Sequence, residues 1–398
     1  MSRKRIIIIS HALQLGGAER SLIGLLWALR DPEYTVDLFL LRHEGELMHM
    51  IPPHVNLLPE IPAYTVLAQP MVKTLKEGHL LLTFARLWGK RKAVKFVRKQ
   101  HLGENGVALE YSHRYTHCLM PPIQPKINYH AAISFLTPHY IVGKNVKADK
   151  KICWIHTDYS NVAIDKKSEF KMWSQFDHIV AISEAAKKSF ISIFPQLSER
   201  VTVIENILPQ QFIQKQSEER IILSEGSTIN LLSIGRFSYP KNFDNVPDIC
   251  RQLVEGGLKV VWYLIGYGPD EALIRQEIIR TGMQEHVIIL GKKDNPYPYI
   301  KACDLYIQPS RYEGKSVCVR EAQMLCKPVV ITNYGTSQSQ LQNGVDGIIV
   351  PMDNEGCARG IAFLLKDPQK MKELEKNCSK RDYSNVAEIT KIYRMMKC

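Results

Sequence analysis

Two carboxylates spaced Glu-x7-Glu, Glu313 and Glu321, lie in the stretch from Tyr306 to Asn333, YIQPSRYEGKSVCVREAQMLCKPVVITN. Its pattern predicts a buried strand, a polar loop with Glu313, a short helix with Glu321, and a second buried strand. Gly314 falls just before the helix start. A helix N-terminus beside a glycine offers unpaired backbone N–H groups to an anion, most often a phosphate. A carboxylate is a poor neighbour for phosphate but accepts hydrogen bonds from sugar hydroxyls. Two carboxylates flanking an anion hole suit a ligand with hydroxyls at both ends and phosphates between them, which is the shape of a nucleotide sugar.

Other polar groups stand at the ends of apolar runs. Gly16 and Gly17 follow the run Arg5–Ser10 and precede a helix carrying Leu22, Leu25, Leu26 and Leu29, a strand–loop–helix opening of Rossmann type. No G-x-G-x-x-G occurs, which counts against a nicotinamide or flavin enzyme. His156 closes the strand candidate Lys151–Ile155, where an open α/β sheet places its ligands. Gly235, Arg236 and Lys241 follow the run Asn230–Ile234. Two long cations at a strand's carboxyl end are suited to neutralising a leaving diphosphate. Gly266 follows Leu258–Ile265, and Lys292 follows Val287–Gly291.

The Glu-x7-Glu spacing with its closing Lys-Pro-Val-Val, the Gly-Gly-Ala-Glu near the N-terminus and the Gly-Arg-x4-Lys-Asn loop resemble retaining glycosyltransferases of the GT-B fold, family GT4. The resemblance is strong over about 230–352 and patchier over 1–206. It implies that Glu313 contacts the donor sugar and Glu321 the ribose. It implies further that Gly314 and the amides of Lys315, Ser316 and Val317 hold the diphosphate. Arg236 and Lys241 would form the diphosphate clamp at Gly235, with Gly16 and Gly17 facing the same group. Gly266 would close on the donor, Lys292–Pro298 would hold the nucleobase through backbone, and His156 would touch the donor sugar. Lys315 stands where an aromatic is usual, and Cys326, expected to serve packing, where glycine often precedes Lys-Pro. Many members carry Gly-x-x-Glu beyond Asn333; here the segment is Gly335-Thr-Ser-Gln-Ser-Gln340.

The elements that must position these groups fall into two halves of the 398-residue chain. The expected architecture is α/β, GT-B: two Rossmann-like doubly wound parallel-sheet domains facing across a cleft. Residues 1–207 form an acceptor-binding domain and 208–385 a nucleotide-sugar-binding domain, with a polar linker over 207–228. A helix over 386–398 crosses back to the first. Residues 46–70 read as irregular.

Composition narrows the partners. The formal charge is +12; 27 Lys and Arg face 18 Asp and Glu over residues 1–210, against 25 and 22 over 211–398. A basic surface attracts nucleic acid, anionic lipid or an anionic substrate. No zinc-finger spacing, aromatic RNA-binding motif or long basic tail supports nucleic acid. From Leu80 to Leu102 seven Lys or Arg occur without an acid, and Leu81, Phe84, Ala85 and Trp88 share a helical stripe. This segment is read either as a surface resting on anionic lipid or as a solvated helix whose first half packs on the sheet. Nine scattered cysteines without C-x-x-C fit reduced thiols with no disulfide framework and no metal site. The apolar run after Arg5 is too short for a signal peptide and no run spans a membrane. The expected location is cytoplasmic, peripheral on the inner face of the cell membrane.

The resulting expectation is a metal-independent retaining hexosyltransferase with no cofactor beyond its substrate, a UDP-sugar by family frequency. Its acceptor would be a saccharide, lipid-linked by analogy, in capsule, exopolysaccharide or other cell-surface polysaccharide assembly. The alternative is a catalytically idle GT-B relative serving as a scaffold subunit of a partner transferase. An epimerase or sugar-nucleotide hydrolase on the same architecture ranks lower.

Overall fold

The computed structural model describes residues 3–14, 16–101, 106–159, 162–221, 223–224 and 226–397. The chain divides into two compact units, Met1–Ile207 with Val386–Cys398, and Leu208–Asn385.

The first unit is built on seven parallel strands: β1 (Lys4–Ser10), β2 (Tyr34–Leu40), β3 (Val55–Leu57), β4 (Tyr129–Ser134), β5 (Ala148–Ile155), β6 (His178–Ala181) and β7 (Val201–Val203). They run in the order β3-β2-β1-β4-β5-β6-β7. Successive apolar residues such as Ile6–Ile9 are buried on both faces, as a helix-covered parallel sheet demands. The connections change direction between β1 and β4, so the loops after those strands border the crevice where such sheets bind ligands. Asp37 is the polar exception inside β2. It is 2% exposed and accepts hydrogen bonds from Arg5 (2.7 Å), Tyr129 (2.7 Å) and Asn56 (2.9 Å). One buried carboxylate thereby joins four strands and fixes their register. The stretch 46–70, expected to be irregular, contributes β3, whose three residues are too few to show a period-2 pattern.

The basic segment forms the helix Leu80–Gln100; Leu102 lies outside the described residues. Its buried side is Leu82, Thr83, Gly89 and Ala93. Gly89 faces the helix Val107–Thr116 so closely that an added Cβ would lie 2.9 Å from the Tyr111 carbonyl oxygen. Leu81, Phe84 and Trp88 are 72%, 69% and 53% exposed. The first half of the helix is therefore covered on the side of Leu82 and Thr83, against neighbouring helices and not against the sheet, and the Leu81, Phe84 and Trp88 stripe is left outside. The helix Ile389–Lys397 also belongs to this unit, with Tyr393 stacked on Tyr34 at 5.5 Å. Cys398 lies outside the described residues.

The second unit has six parallel strands: β8 (Ile229–Ile234), β9 (Val260–Ile265), β10 (Val287–Gly291), β11 (Leu305–Gln308), β12 (Val329–Thr332) and β13 (Ile348–Val350), ordered β10-β9-β8-β11-β12-β13. The change of direction lies between β8 and β11. Buried Trp262 on β9 donates to the Ser233 hydroxyl of β8 (2.9 Å), which donates to the Ile307 carbonyl of β11 (2.6 Å). This chain crosses the switch point and holds its two strands together. The stretch expected to be a linker is largely structure of this unit. Leu208 and Ile213 are buried, the latter in the helix Gln210–Gln216, whose end receives a hydrogen bond from Asn295 (2.9 Å). Two buried apolar residues among many polar ones anchor it; residues 222 and 225 lie outside the described residues. Among the described residues no helix is long and apolar enough to cross a membrane.

Candidate functional site

In the second unit the loops after β8, β9, β10 and β11 leave one edge of the sheet, and they carry most of the residues singled out from sequence. The loops after β8 and β11 flank the switch point and are stitched to each other. Arg311 makes two contacts with Asp244, at 2.9 and 2.6 Å, and donates to the Tyr239 carbonyl at 2.7 Å. Its backbone N–H donates to the Pro240 carbonyl at 2.8 Å. That stitching brings the Lys241 ammonium against the Glu313 carboxylate. Arg236 lies exposed on the same loop and makes no ion pair among the described residues.

Glu313 is positioned by a directed chain of hydrogen bonds. The Tyr306 hydroxyl donates to Gln308 (2.9 Å), Gln308 donates to Ser310 (3.0 Å), and Ser310 donates to Glu313 Oε1 (2.8 Å). Tyr306, Gln308 and Ser310 are fully buried, and Thr336 holds the Glu313 carbonyl at 2.7 Å. One carboxylate oxygen is thus held by both Ser310 and Lys241. Sequence reading missed this chain, although the alternating Tyr306-x-Gln308-x-Ser310 was a legible sign of polar groups on one strand face.

The anion-binding part is the N-terminus of the helix Val317–Met324. A Cβ at Gly314 would meet nothing within 4 Å, so there is room above the loop. The amide of Val317, as the first helical residue, has no intrahelical acceptor. Ser316 differs from expectation: its N–H donates to Gln340 Oε1 (2.7 Å), and Gln340 returns a hydrogen bond to the Ser316 carbonyl (3.2 Å). Its amide is engaged by the segment that lacks the expected carboxylate. Lys315 immediately precedes this cap. Glu321 lies on the helix, 1% exposed, and accepts from the Tyr297 hydroxyl at 3.1 Å.

Gly235 begins the cationic loop, and Gly266 is required by it. A Cβ on Gly266 would stand 1.9 Å from the Gly235 carbonyl oxygen, and one on Gly268 2.2 Å from that of Phe237. Lys292, exposed, reaches over the Tyr267 ring at 5.1 Å. Cys326 has a left-handed backbone with φ 56°. The Cys326 and Lys327 amides donate to the Gln323 and Ala322 carbonyls at 2.9 Å each, closing the helix with a Schellman turn. Backbone geometry, beyond packing, is thus why glycine is common at this position.

In the first unit, Gly16 caps and Gly17 begins the helix Gly17–Ala28 at the carboxyl end of β1, and His156 follows β5. The His156 ring packs on Phe135 at 4.7 Å, and burial lowers its pKa to about 4, partly offset by a hydrogen bond to the Phe135 backbone. The imidazole is therefore neutral at pH 7.

Two Rossmann-like units of parallel strands, with a cation–carboxylate pair and a helix N-terminus at the edge of the second, define the GT-B fold. Residues 214–381, most of the second unit, match the family model described as "Glycosyl transferases group 1". Among solved structures, Anabaena Alr3699/HepE in complex with UDP and glucose superimposes with a TM-score of 0.68 at 18% identity, over 98% of this chain and 100% of that one. A Campylobacter jejuni N-acetylgalactosamine-N,N'-diacetylbacillosaminyl-diphospho-undecaprenol 4-alpha-N-acetylgalactosaminyltransferase is 26% identical over 213 residues, 52% of this chain and 56% of that protein. The amylovoran biosynthesis glycosyltransferase AmsD of Erwinia amylovora is 24% identical over 240 residues, 60% of this chain and 65% of that protein. The chain spans about half to three fifths of the curated relatives it matches first.

Proposed function

We propose that the protein is a retaining glycosyltransferase that moves a hexose-type sugar from a UDP-sugar to a saccharide acceptor in cell-surface polysaccharide assembly. The observation that carries this reading is the Lys241–Glu313 pair beside the open N-terminus of Val317–Met324. A departing diphosphate needs cations and amides already in place, and a donor sugar needs a carboxylate held for its hydroxyls. Lys241 and Arg236 supply the charge and the Val317 amide a hydrogen bond. Glu313 accepts from the sugar, while Glu321, held by Tyr297, is assigned to the ribose. His156, neutral, is assigned a contact to the sugar. This electrostatic stabilisation calls on no metal ion. Retention of configuration follows the family resemblance, and no side chain is assigned as nucleophile.

The acceptor is proposed to be lipid-linked, with the protein peripheral on an anionic membrane. The helix Leu80–Gln100 supports this. Its outward face exposes Leu80, Leu81, Phe84, Leu87 and Trp88 in the first half and Arg91, Lys92, Lys95, Arg98 and Lys99 in the second. The apolar half suits entry below the headgroups, and the cationic half complements anionic lipid. The name of the Campylobacter relative includes a diphospho-undecaprenol acceptor, consistent with this reading.

The test is UDP release from a panel of UDP-sugars, in chelator, with membrane extract as acceptor source, for wild type, Glu313→Ala and Arg236→Ala. Turnover of one sugar that both substitutions abolish supports the transferase. Tight UDP binding without turnover of any UDP-sugar or GDP-sugar overturns it in favour of an idle scaffold subunit.

A further inference from the structure

The first unit contains a cavity of about 150 Å³ that none of the donor-site residues except His156 touches. Its wall is assembled at the carboxyl edge of the sheet. Thr137 and Pro138 come from the loop after β4, His156 and Thr157 from the loop after β5, and Glu110 and Glu169 from the helices Val107–Thr116 and Lys166–Trp173.

Glu110 is the informative residue. It is 3% exposed, and its Oε1 accepts hydrogen bonds from Ser168 (2.6 Å) and from the Tyr140 hydroxyl. Its Oε2 is withdrawn from solvent and has no partner among the described residues, and the same is true of His156 Nε2. Leaving a buried carboxylate oxygen bare is costly, so a rotation of the Glu110 carboxyl that turns Oε2 into the cavity it lines is favoured once a donor is there to meet it. Glu169, 7% exposed, is held on one oxygen by Tyr159 (2.7 Å) and Trp173 (3.1 Å). Burial raises both carboxyl pKa values, that of Glu169 to about 7. A hydroxyl suits either protonation state, because it accepts from a carboxyl and donates to a carboxylate.

The remainder of the wall is apolar, including Leu109, Ile155 and Met172. A cavity of this volume admits one six-membered ring. An alkyl chain would leave Glu110 Oε2 bare, whereas a sugar ring offers hydroxyls to the polar groups and C–H groups to the apolar wall.

We infer that this cavity is the subsite for one pyranose ring of the acceptor saccharide, with Glu110 Oε2 accepting one of its hydroxyls. The inference rests on the transferase reading for the word acceptor, but the binding itself does not depend on turnover. The full-length protein is saturated with UDP, which fills the nucleoside and diphosphate positions but leaves the donor-sugar position open, so each measurement is repeated in Glu313→Ala, and only transfer that persists there is counted as binding at the cavity. Saturation-transfer NMR is then recorded with the methyl glycosides of glucose, galactose, N-acetylglucosamine and N-acetylgalactosamine. The expected result is transfer to at least one glycoside in wild type and at least a tenfold weaker affinity in Leu109→Trp and Glu110→Ala. Leu109 is 48% exposed, so an indole there blocks the cavity without disturbing the core and decides the matter where Glu110→Ala fails to fold. The UDP signal, followed in the same spectra, reports separately on the donor site. Glycoside transfer that survives in Leu109→Trp, or no transfer to any of the four in wild type, overturns the subsite.

Discussion

The Lys241 ammonium rests on the Glu313 carboxylate, a pair joining residues 72 apart in sequence on loops that leave opposite sides of one switch point. Both side chains are largely shielded, so the pair is only weakly screened by solvent. In this state the cation proposed for the diphosphate is neutralised by the carboxylate proposed for the sugar. On the proposed reading, a bound donor would insert a phosphate beside the first and hydroxyls beside the second, satisfying both at once.

Replacing Lys241 by Met removes a charge needed when the diphosphate leaves, and it also leaves Glu313 short of a partner. The expected loss is on the order of 10²–10³ in kcat, the range for deleting one preorganised electrostatic contact. Ser310→Ala removes only the last link of the chain that orients Glu313, worth roughly 1 kcal/mol, and should lower kcat/KM about fivefold with UDP affinity unchanged. Steady-state kinetics alongside UDP titration separate the two. Equal effects of both substitutions on UDP affinity would remove the distinction between charge and orientation.

The strand ends and the helix start at Val317 were readable because buried parallel strands are continuous apolar runs and the loops after them hold glycine and charge. Glu313 and Lys241 were legible for the same reason. What pairs with what was not legible: the Tyr306–Gln308–Ser310 chain needs the strand's face, and Gln340 meets Ser316 only after β12 brings its loop alongside. The stripe of Leu81, Phe84 and Trp88 was visible, but which face of the helix is covered depends on Gly89 and Ala93 meeting the neighbouring helix. Sequence periodicity finds an apolar stripe without telling whether protein or something else covers it.

Cys326 occupies the left-handed position of a Schellman turn, where a residue with a Cβ is strained by about 1–2 kcal/mol. Glycine relieves that strain and gives back part of the gain through a more flexible unfolded chain. Cys326→Gly should therefore stabilise the second unit by roughly 0.5–1 kcal/mol, read as a higher urea midpoint with an unchanged slope. Cys326→Ala keeps the Cβ and should show no such gain.

Acid should weaken the first unit through its buried imidazoles. Burial lowers His11 and His156 to about 4 and His139 to about 3, and holds His113 well below its ordinary value. Between pH 6.5 and about 4 the unfolded chain binds protons that the folded one refuses, so stability falls as pH falls through this window, by up to about 1.4 kcal/mol per unit for each group. Glu19, Glu110 and Glu169, raised by burial, act in the opposite sense: their contribution is present at low pH and lost as pH rises, for Glu169 through about 7. The four histidines outweigh these three carboxyls, and the urea midpoint should be lower at pH 5 than at pH 7. Neither ring nitrogen of His113 has a partner among the described residues, so His113→Phe should keep the packing and shrink the difference. An unaltered pH dependence in that variant would remove His113 from the account.

The outward face of Leu80–Gln100 makes a quantitative prediction about lipid. Burying one of its large side chains contributes about 1.5–3 kcal/mol, and each cation near an anionic surface about 1 kcal/mol. Phe84→Ser, at a position 69% exposed, should leave the fold intact and weaken binding to vesicles of phosphatidylcholine with phosphatidylglycerol by roughly 10–100-fold. Reversing Lys95 and Lys99 to Glu should weaken it further and flatten its dependence on salt, because those contacts are the screened ones. Trp88, with Lys92 over its ring at 4.9 Å, should shift its fluorescence to the blue on binding, as the difference between wild type and Trp88→Phe. Co-sedimentation that is equal on pure phosphatidylcholine, or unaffected by Phe84→Ser, would rule out this face as the lipid contact. A change of oligomeric state in Phe84→Ser without lipid would assign the face to a second copy of the chain instead.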